Sequence, residues 1–319
     1  MPNHRLVAVP ILLAGLLACA QSDPLASRVQ AELARRGQLT DQYQAELAAL
    51  RVRADAGDAE AQLGVAEIYF TGKGVDVDHA EAASWFRRAA EADNAEAQYR
   101  LGLLLDFGIG APKQPAEAAI WYERAAGQGH LKAQTQLASM LDLGRGIPRD
   151  GAEAARWFRA AAEQGDVSAQ SALATKLALG DGMVADPVEA FRWYQAAAAQ
   201  GSAMDQYNLG FSYEQGAGVA RDTFEAERWY RQAAEQGLAD AQFALGTLYA
   251  QADGLQHDLM EAYKWTFIAA RGGYPGALRS LQVLRRQLPV RDRDDAEALA
   301  QDWMLRHASP GLPAGAAAP

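Results

Sequence analysis

Tryptophan recurs at Trp85, Trp121, Trp157, Trp193, Trp229 and Trp265, each 36 residues after the last and with no slip. Other columns keep the same step. Glutamine occupies 62, 98, 134, 170, 206 and 242; Val65, Leu101, Leu137, Leu173, Leu209 and Leu245 follow three residues later; a small residue comes next, as Ala66, Gly102, Ala138, Ala174, Gly210 and Gly246. A strict period without insertions means that each copy is one supersecondary unit stacked on its neighbours, because an extra residue would have to bulge from a loop. A length of 319 residues would suggest two globular domains, but the repeat makes the chain a solenoid.

Within a copy the pattern is that of two helices, so the fold class is all-α. Positions 98, 101, 102 and 105 fall on one face of a first helix, and Ala118, Trp121, Tyr122, Ala125 and Ala126 on one face of a second. Asp78 with Glu81, Asp150 with Glu153, Asp186 with Glu189, Asp222 with Glu225 and Asp258 with Glu261 have the spacing of a capping box at the start of the second helix. Pro115 and Pro187 sit just inside the same start. Gly129, Gly165, Gly201, Gly237 and Gly273 close that helix, and Asp58, Asn94, Asp166 and Ser202 cap the next first helix.

The unit A-Q-x-x-L-G-x-x-Y, a G-x-G turn, then D-x-x-E-A-x-x-W-[FY]-x-x-A-A-x-x-G resembles the Sel-one-like repeat (SLR), a relative of the tetratricopeptide repeat. Ala241-Gln242, Leu245-Gly246, Tyr249, Glu261-Ala262, Trp265 and Ala269-Ala270 display it in one copy. The resemblance covers residues 58–288 and implies an α-solenoid of antiparallel helix pairs whose members mostly act as adaptors or scaffolds, several in bacterial envelopes. The tryptophan column is expected to be the wedge between helices, with the Gly or Ala column allowing close backbone approach; on that reading Trp157→Ala costs about 3–5 kcal/mol. Residues 19–57 are expected to hold a linker and N-terminal capping helices, 289–307 a closing helix like that of SLR proteins, and 308–319 a disordered tail.

The first residues read as an export signal. His4 and Arg5 precede an apolar run from Leu6 to Ala18 that is too short to span a bilayer but long enough for a secretory signal. Leu16-Leu17-Ala18-Cys19 resembles a bacterial lipobox, with residues 1–18 removed and Cys19 lipidated; Ala18-Cys19-Ala20 also reads as an ordinary signal-peptidase site, leaving a soluble periplasmic protein. If the anchor exists, Ala20 after the cysteine resembles the sorting signal for the periplasmic side of the outer membrane. Lys and Arg total 30 against 40 Asp and Glu, a formal charge of -10, which argues against nucleic acid and against any membrane attachment other than a lipid anchor. Cys19 is the single cysteine, and the five histidines form no short-spaced ligand motif, so neither metal nor cofactor is expected.

No catalytic signature appears. The paired glycines from Gly72/Gly74 to Gly216/Gly218 lack a third glycine or a Gly-Lys-Ser/Thr sequence and fall between helices, which is turn chemistry. There is no HExxH, GxSxG or S-x-x-K. By resemblance to tetratricopeptide geometry, the columns of Leu63, Glu67 and Phe70 line an inner concave face, and they vary while their neighbours stay fixed. Tyr99, Leu103, Tyr207, Phe211 and Phe243 are the expected anchors for another envelope protein, with Asp106, Asp142 and Glu214 beside them. The expected function is a non-enzymatic interaction scaffold. The alternatives are an envelope enzyme using groove carboxylates, or a scaffold that holds peptidoglycan or exopolysaccharide without cleaving it.

Overall fold

The computed structural model describes residues 41–251 and 258–307. The leader with Cys19, the rest of the chain up to residue 40 and the tail 308–319 lie outside the described residues. Among those described there are fifteen helices and no strand, an all-α solenoid in fold class. The chain falls into two compact units that meet in sequence at Ala133 and Gln134.

The first unit holds α1 (41–55), α2 (Ala59–Thr71), α3 (His79–Glu91), α4 (Ala95–Phe107), α5 (Pro115–Gly127) and the start of α6 (Leu131–Leu143). The second continues with α7 (Gly151–Glu163), α8 (Val167–Leu179), α9 (Pro187–Ala199), α10 (Ala203–Gln215), α11 (Thr223–Glu235), α12 (Ala239–Ala250), α13 (Leu259–Arg271), α14 (Ala277–Gln287) and α15 (Val290–His307). Even-numbered helices from α2 are the first helices of successive copies; odd-numbered helices from α3 to α13 are the second.

In five of the six copies the residue after the tryptophan lies deeper than the tryptophan itself, and in the sixth Trp265 and Thr266 are equally buried. Phe86, Tyr122, Phe158, Tyr194, Tyr230 and Thr266 are all buried, Tyr122 completely, whereas Trp157, Trp193 and Trp229 are only half-buried. In these three copies this corrects the expectation that the indole is the wedge, whereas Trp85, Trp121 and Trp265 are themselves buried. The small column faces this second residue: a Cβ at Gly210 would stand 2.5 Å from a ring carbon of Tyr230, and one at Gly102 2.7 Å from Tyr122. The indole has a different task. Trp85 donates to Glu81 at 2.9 Å, Trp121 to Glu117 at 3.3 Å, Trp193 to Glu189 at 3.2 Å and Trp265 to Glu261 at 2.9 Å, each one turn back.

That use of the glutamate leaves half a capping box. The aspartates do cap: Asp78, Asp150, Asp186, Asp222 and Asp258 accept from the first-turn amides. Their own N–H groups, which a capping box would satisfy with the glutamate, instead donate to the carbonyls of Tyr69, Leu141, Leu177, Tyr213 and Tyr249 near the end of the preceding helix. The glutamate is thereby released for the indole, and in two places for an arginine of the copy before: Arg87 donates to Glu117 at 2.7 Å, and Arg159 forks onto Glu189.

Copies are joined by buried glutamines. Gln62 and Gln98 in the first unit, and Gln170, Gln206 and Gln242 in the second, donate to the carbonyls of Ala54, Ala90, Ala162, Ala198 and Ala234, in the last turn of the preceding helix. These are carbonyls that a helix leaves without intrahelical partners. In turn, Gln128 donates to Gln98, Gln164 to Gln134, Gln200 to Gln170 and Gln236 to Gln206, at 2.8–2.9 Å. In the first copy Ala92 stands where Gln128 stands in the second, and Oε1 of Gln62 has no partner.

The glycines that close the second helices answer to backbone conformation, since a Cβ there would meet nothing within 4 Å. Gly129, Gly165, Gly201, Gly237 and Gly273 all take positive φ, as expected of helix-closing residues. Asp93 holds the equivalent position in the first copy at φ 66°, an uncommon conformation for a residue with a Cβ, and its carboxylate accepts from Gln98 at 2.9 Å and from Gln128 at 3.2 Å. The second glycine of a G-x-G turn has a further reason. A Cβ at Gly218 would lie 1.9 Å from the carbonyl oxygen of Pro187, the first residue of α9 in the preceding copy.

Two outcomes follow. Ala92 and Gln128 share a backbone conformation (φ -83° and -84°), so Ala92→Gln should supply the missing donor to Gln62 and raise stability by about 0.5–1.5 kcal/mol in denaturant titration. Phe158→Ala should cost about 3–5 kcal/mol, and Trp157→Ala clearly less in the same titration; the reverse order would restore the indole as the wedge.

Candidate partner-binding surface

The first helix of each copy carries the variable columns, and the structure uses them unevenly. In the first unit Tyr99 is buried and stacks on His130, with ring centroids 4.7 Å apart and planes at 28°, while Tyr122 lies 6.1 Å away. His130 stands at the N-cap of α6, where its Nδ1 accepts from the amide of Ala133 at 3.2 Å; its Nε2 is 2.9 Å from Glu96. Sequence reasoning missed this histidine cap because four other copies hold Asp, Asn or Ser at the position. Leu103 is half-buried, and Asp106 is 1% exposed.

The same columns in the second unit are also drawn into internal contacts. Tyr207 lies half-buried with its ring 5.5 Å from Tyr230. Glu214 accepts the Tyr230 hydroxyl at 2.7 Å; burial first, and then this carboxylate, raise that phenol far above its ordinary range. Phe243 stacks on Tyr274 at 4.5 Å and 21°. Asp142 takes an ion pair from Lys176, whose ammonium also reaches Asp181 at 2.9 Å, and Arg149 joins Asp181 at 2.8 Å. Phe211 alone of the second unit's expected anchors is exposed, at 48%.

One turn beyond the column of Leu103 and Phe211 lies a set that the sequence reading passed over. Phe107 in the first unit, and Leu143 and Leu179 in the second, end their helices with more than half their surface in water. The signal was available: this column is Thr71, Phe107, Leu143, Leu179, Gln215 and Gln251, apolar only in the middle copies and close to a turn, where apolar residues have no stacking duty. Residues four apart share a helix face, so Leu103 with Phe107, and Thr175 with Leu179, present adjoining surface.

The second unit also departs from its own repeat. Lys176 occupies a column that is otherwise Ile68, Leu104, Met140, Ser212 and Leu248, and is 4% exposed. Asp205 occupies the column of Ala61, Ala97, Ala133, Ala169 and Ala241; it is fully buried, with Oδ2 accepting from Ser171 and Ser202 and Oδ1 lacking a partner. Among the described residues no group of three His, Cys, Asp or Glu is placed to hold a metal ion, and no helix is long and apolar enough to cross a membrane.

The repeat now has a name. The Sel1 repeat model matches residues 58–94, 95–130, 131–166, 167–202, 203–238 and 239–274, in step with the helix pairs above. The chain belongs to the Sel1-repeat family. Among solved structures it is similar to a protective antigen of uropathogenic Escherichia coli that displays an SLR fold, with 30% identity, a TM-score of 0.66, and coverage of 91% of this chain and 63% of that one. It therefore spans less than two thirds of that protein. It is also similar to a Sel1 repeat protein from Oxalobacter formigenes, with 31% identity, a TM-score of 0.60, and coverage of 68% of this chain and 89% of that one. No curated protein matches the chain. Sel1-repeat proteins generally act as protein-interaction scaffolds, and the fold is typically non-catalytic.

The ion-pair cluster makes a pH prediction. Hydrogen bonds from Lys176 and then Arg149 hold the Asp181 carboxyl below its ordinary value of 3.8. A lowered folded-state value means that the cluster stabilises the fold above about pH 3.8 and that this contribution fades as pH falls through the folded value. In Lys176→Met, carboxyl resonances followed by NMR should show Asp181 titrating closer to 3.8, with a shallower loss of stability on acidification.

Proposed function

We propose that this Sel1-repeat protein is a non-catalytic scaffold of the bacterial envelope that docks another protein along the first-helix faces of its units. The observation that supports the reading best is the exposure of Leu143, Leu179 and Phe211, apolar side chains that the stacking of copies does not use. Large apolar groups already presented by rigid helices lose little freedom on binding, so their burial goes largely into affinity. Tyr99, Tyr207 and Phe243 then serve as braces that hold the first helices in place, through His130, Tyr230 and Tyr274. The carboxylates of Asp142 and Glu214 are engaged by Lys176 and Tyr230, an arrangement that favours a scaffold over an enzyme needing a free acid and base. The envelope location rests on the leader and on Cys19, with lipidation as the proposed anchor.

The test is crosslinking and pull-down from an envelope fraction. Leu179→Ala with Phe211→Ala should lower capture of the crosslinked partner about tenfold or more and leave the thermal melt within a degree or two of the parent, whereas Tyr207→Ala should lower the melt. Unchanged capture by the first pair would remove the docking face proposed here. Cys19→Ala should move the protein out of the membrane fraction; a variant that stays membrane-bound and is still processed would exclude the lipid anchor.

A further inference from the structure

The array ends on a first helix without its regular partner. In a full copy, the second helix packs on the small column and the glutamine column of the first, as Tyr230 does on Gly210 and Gln236 on Gln206. The equivalents in α14 are Gln282 and Leu278. A glutamine where every full copy has Gly or Ala keeps another backbone from approaching, and α15 packs to the side: Ala296 joins Leu281 and Leu284, Ala300 enters the buried cluster of Tyr230, Ala233, Leu245 and Trp265, and Trp303 meets Trp265 edge-on at 5.6 Å. Leu281, Leu284 and Leu288 are buried in a cluster with Ala262 and Tyr263 of α13 and Ala296 of α15. Leu278, by contrast, is left 65% exposed.

A cleft of about 280 Å³ lies between α13 and α14, lined by Phe267, Ala270 and Arg271 of the first and by Leu278, Leu281, Gln282 and Arg285 of the second, with Arg285 already paired to Glu297 of α15 at 3.1 Å. Its apolar residues break the repeat in one direction. Phe267 stands in a column that is otherwise Arg87, Glu123, Arg159, Gln195 and Arg231, and Leu278 in the column that is otherwise glutamine. Phe267 is half-buried against the neighbouring clusters, and Leu278 replaces a glutamine where none of the described residues covers it. The charge is also unlike that of the rest of this acidic chain: α14 carries Arg279, Arg285 and Arg286 with no Asp or Glu, and Arg271 closes the end of α13.

We infer that this open end is a second docking site, one that takes an acidic amphipathic helix from a partner protein. An aromatic side chain of the guest enters the cleft between Phe267 and Leu278, held off the α14 backbone by Gln282, and its carboxylates meet Arg271 and Arg279. The site is separate from the Leu143, Leu179 and Phe211 face, so either can fail without the other. Helix-in-groove binding of this kind uses the same pattern of anchors that second helices present within the array.

A suitable probe is a fluorescein-labelled peptide of residues 222–237, which carries the Trp229-Tyr230 pair and four acids against two arginines. Fluorescence polarisation against the full chain should show saturable binding, weakened about tenfold or more by Leu278→Glu and by Arg271→Glu. Both positions are exposed, so circular dichroism should report unchanged helix. A probe with Glu225, Glu227 and Glu235 changed to Lys should bind more weakly. Absence of binding, indifference to Leu278→Glu, or equal binding of the lysine probe would overturn the proposal. Binding that emerges only after residues 308–319 are deleted would overturn it in favour of the chain's own tail as occupant, and concentration-dependent self-association lost in Leu278→Glu would overturn it in favour of a second copy.

Discussion

Everything in these units depends on how one helix pair hands its last carbonyls to the next. The end of a second helix would be left with unpaired carbonyls facing a neighbouring copy, an expensive arrangement away from water. A glutamine in the following first helix answers one of them, and a second glutamine, at the end of that copy's own second helix, steadies the first. An amide side chain suits the task because it donates and accepts at once. Its reach also fixes the distance between copies, and every copy repeats it at a period of 36 residues. Gly110, Gly182 and Gly218, each the second glycine of its G-x-G turn and pressed against the preceding copy, obey the same distance.

The fold was therefore open to reading from the chain, because stacking repeats its chemistry in every copy. Helix ends, caps and the closing glycines are local events, and local sequence names them. What the sequence misjudged was the ranking of two adjacent aromatics. Trp157 and Phe158 sit side by side, and size favours the tryptophan as the core residue. The small column decides otherwise: a Gly or Ala of the first helix stands opposite the second aromatic and lets that ring reach the bottom of the copy, as Tyr122 does at Gly102 and Tyr230 at Gly210.

The binding surface was less legible for a related reason. A column that varies is free of stacking duty, but variation does not distinguish a side chain waiting for a partner from one leaning on the next helix. Tyr99 and Phe243 vary and yet are braced by His130 and Tyr274, residues more than thirty positions away whose rings arrive only through the stacking itself. Leu143 and Leu179 were passed over because they sit at helix ends beside turn glycines, where sequence patterns are usually read as punctuation. Their exposure is a property of the packed unit.

The polar intrusions in the second unit show what an array permits that a globular core does not. Lys176 and Asp205 each replace an apolar or small residue in a buried column, and Asp205 keeps one oxygen without a partner. In a single shared core such substitutions would weaken the whole domain. In a stack each copy contacts only its neighbours, so the cost is confined to the adjoining pairs and is offset there by Asp142, Asp181, Ser171 and Ser202. The same locality explains how α14 can present Leu278 and Gln282, where regular copies carry glutamine and a small residue, without disturbing the copies before it. A repeat protein varies its surface one copy at a time, and its end copies, with one neighbour instead of two, are the least constrained of all.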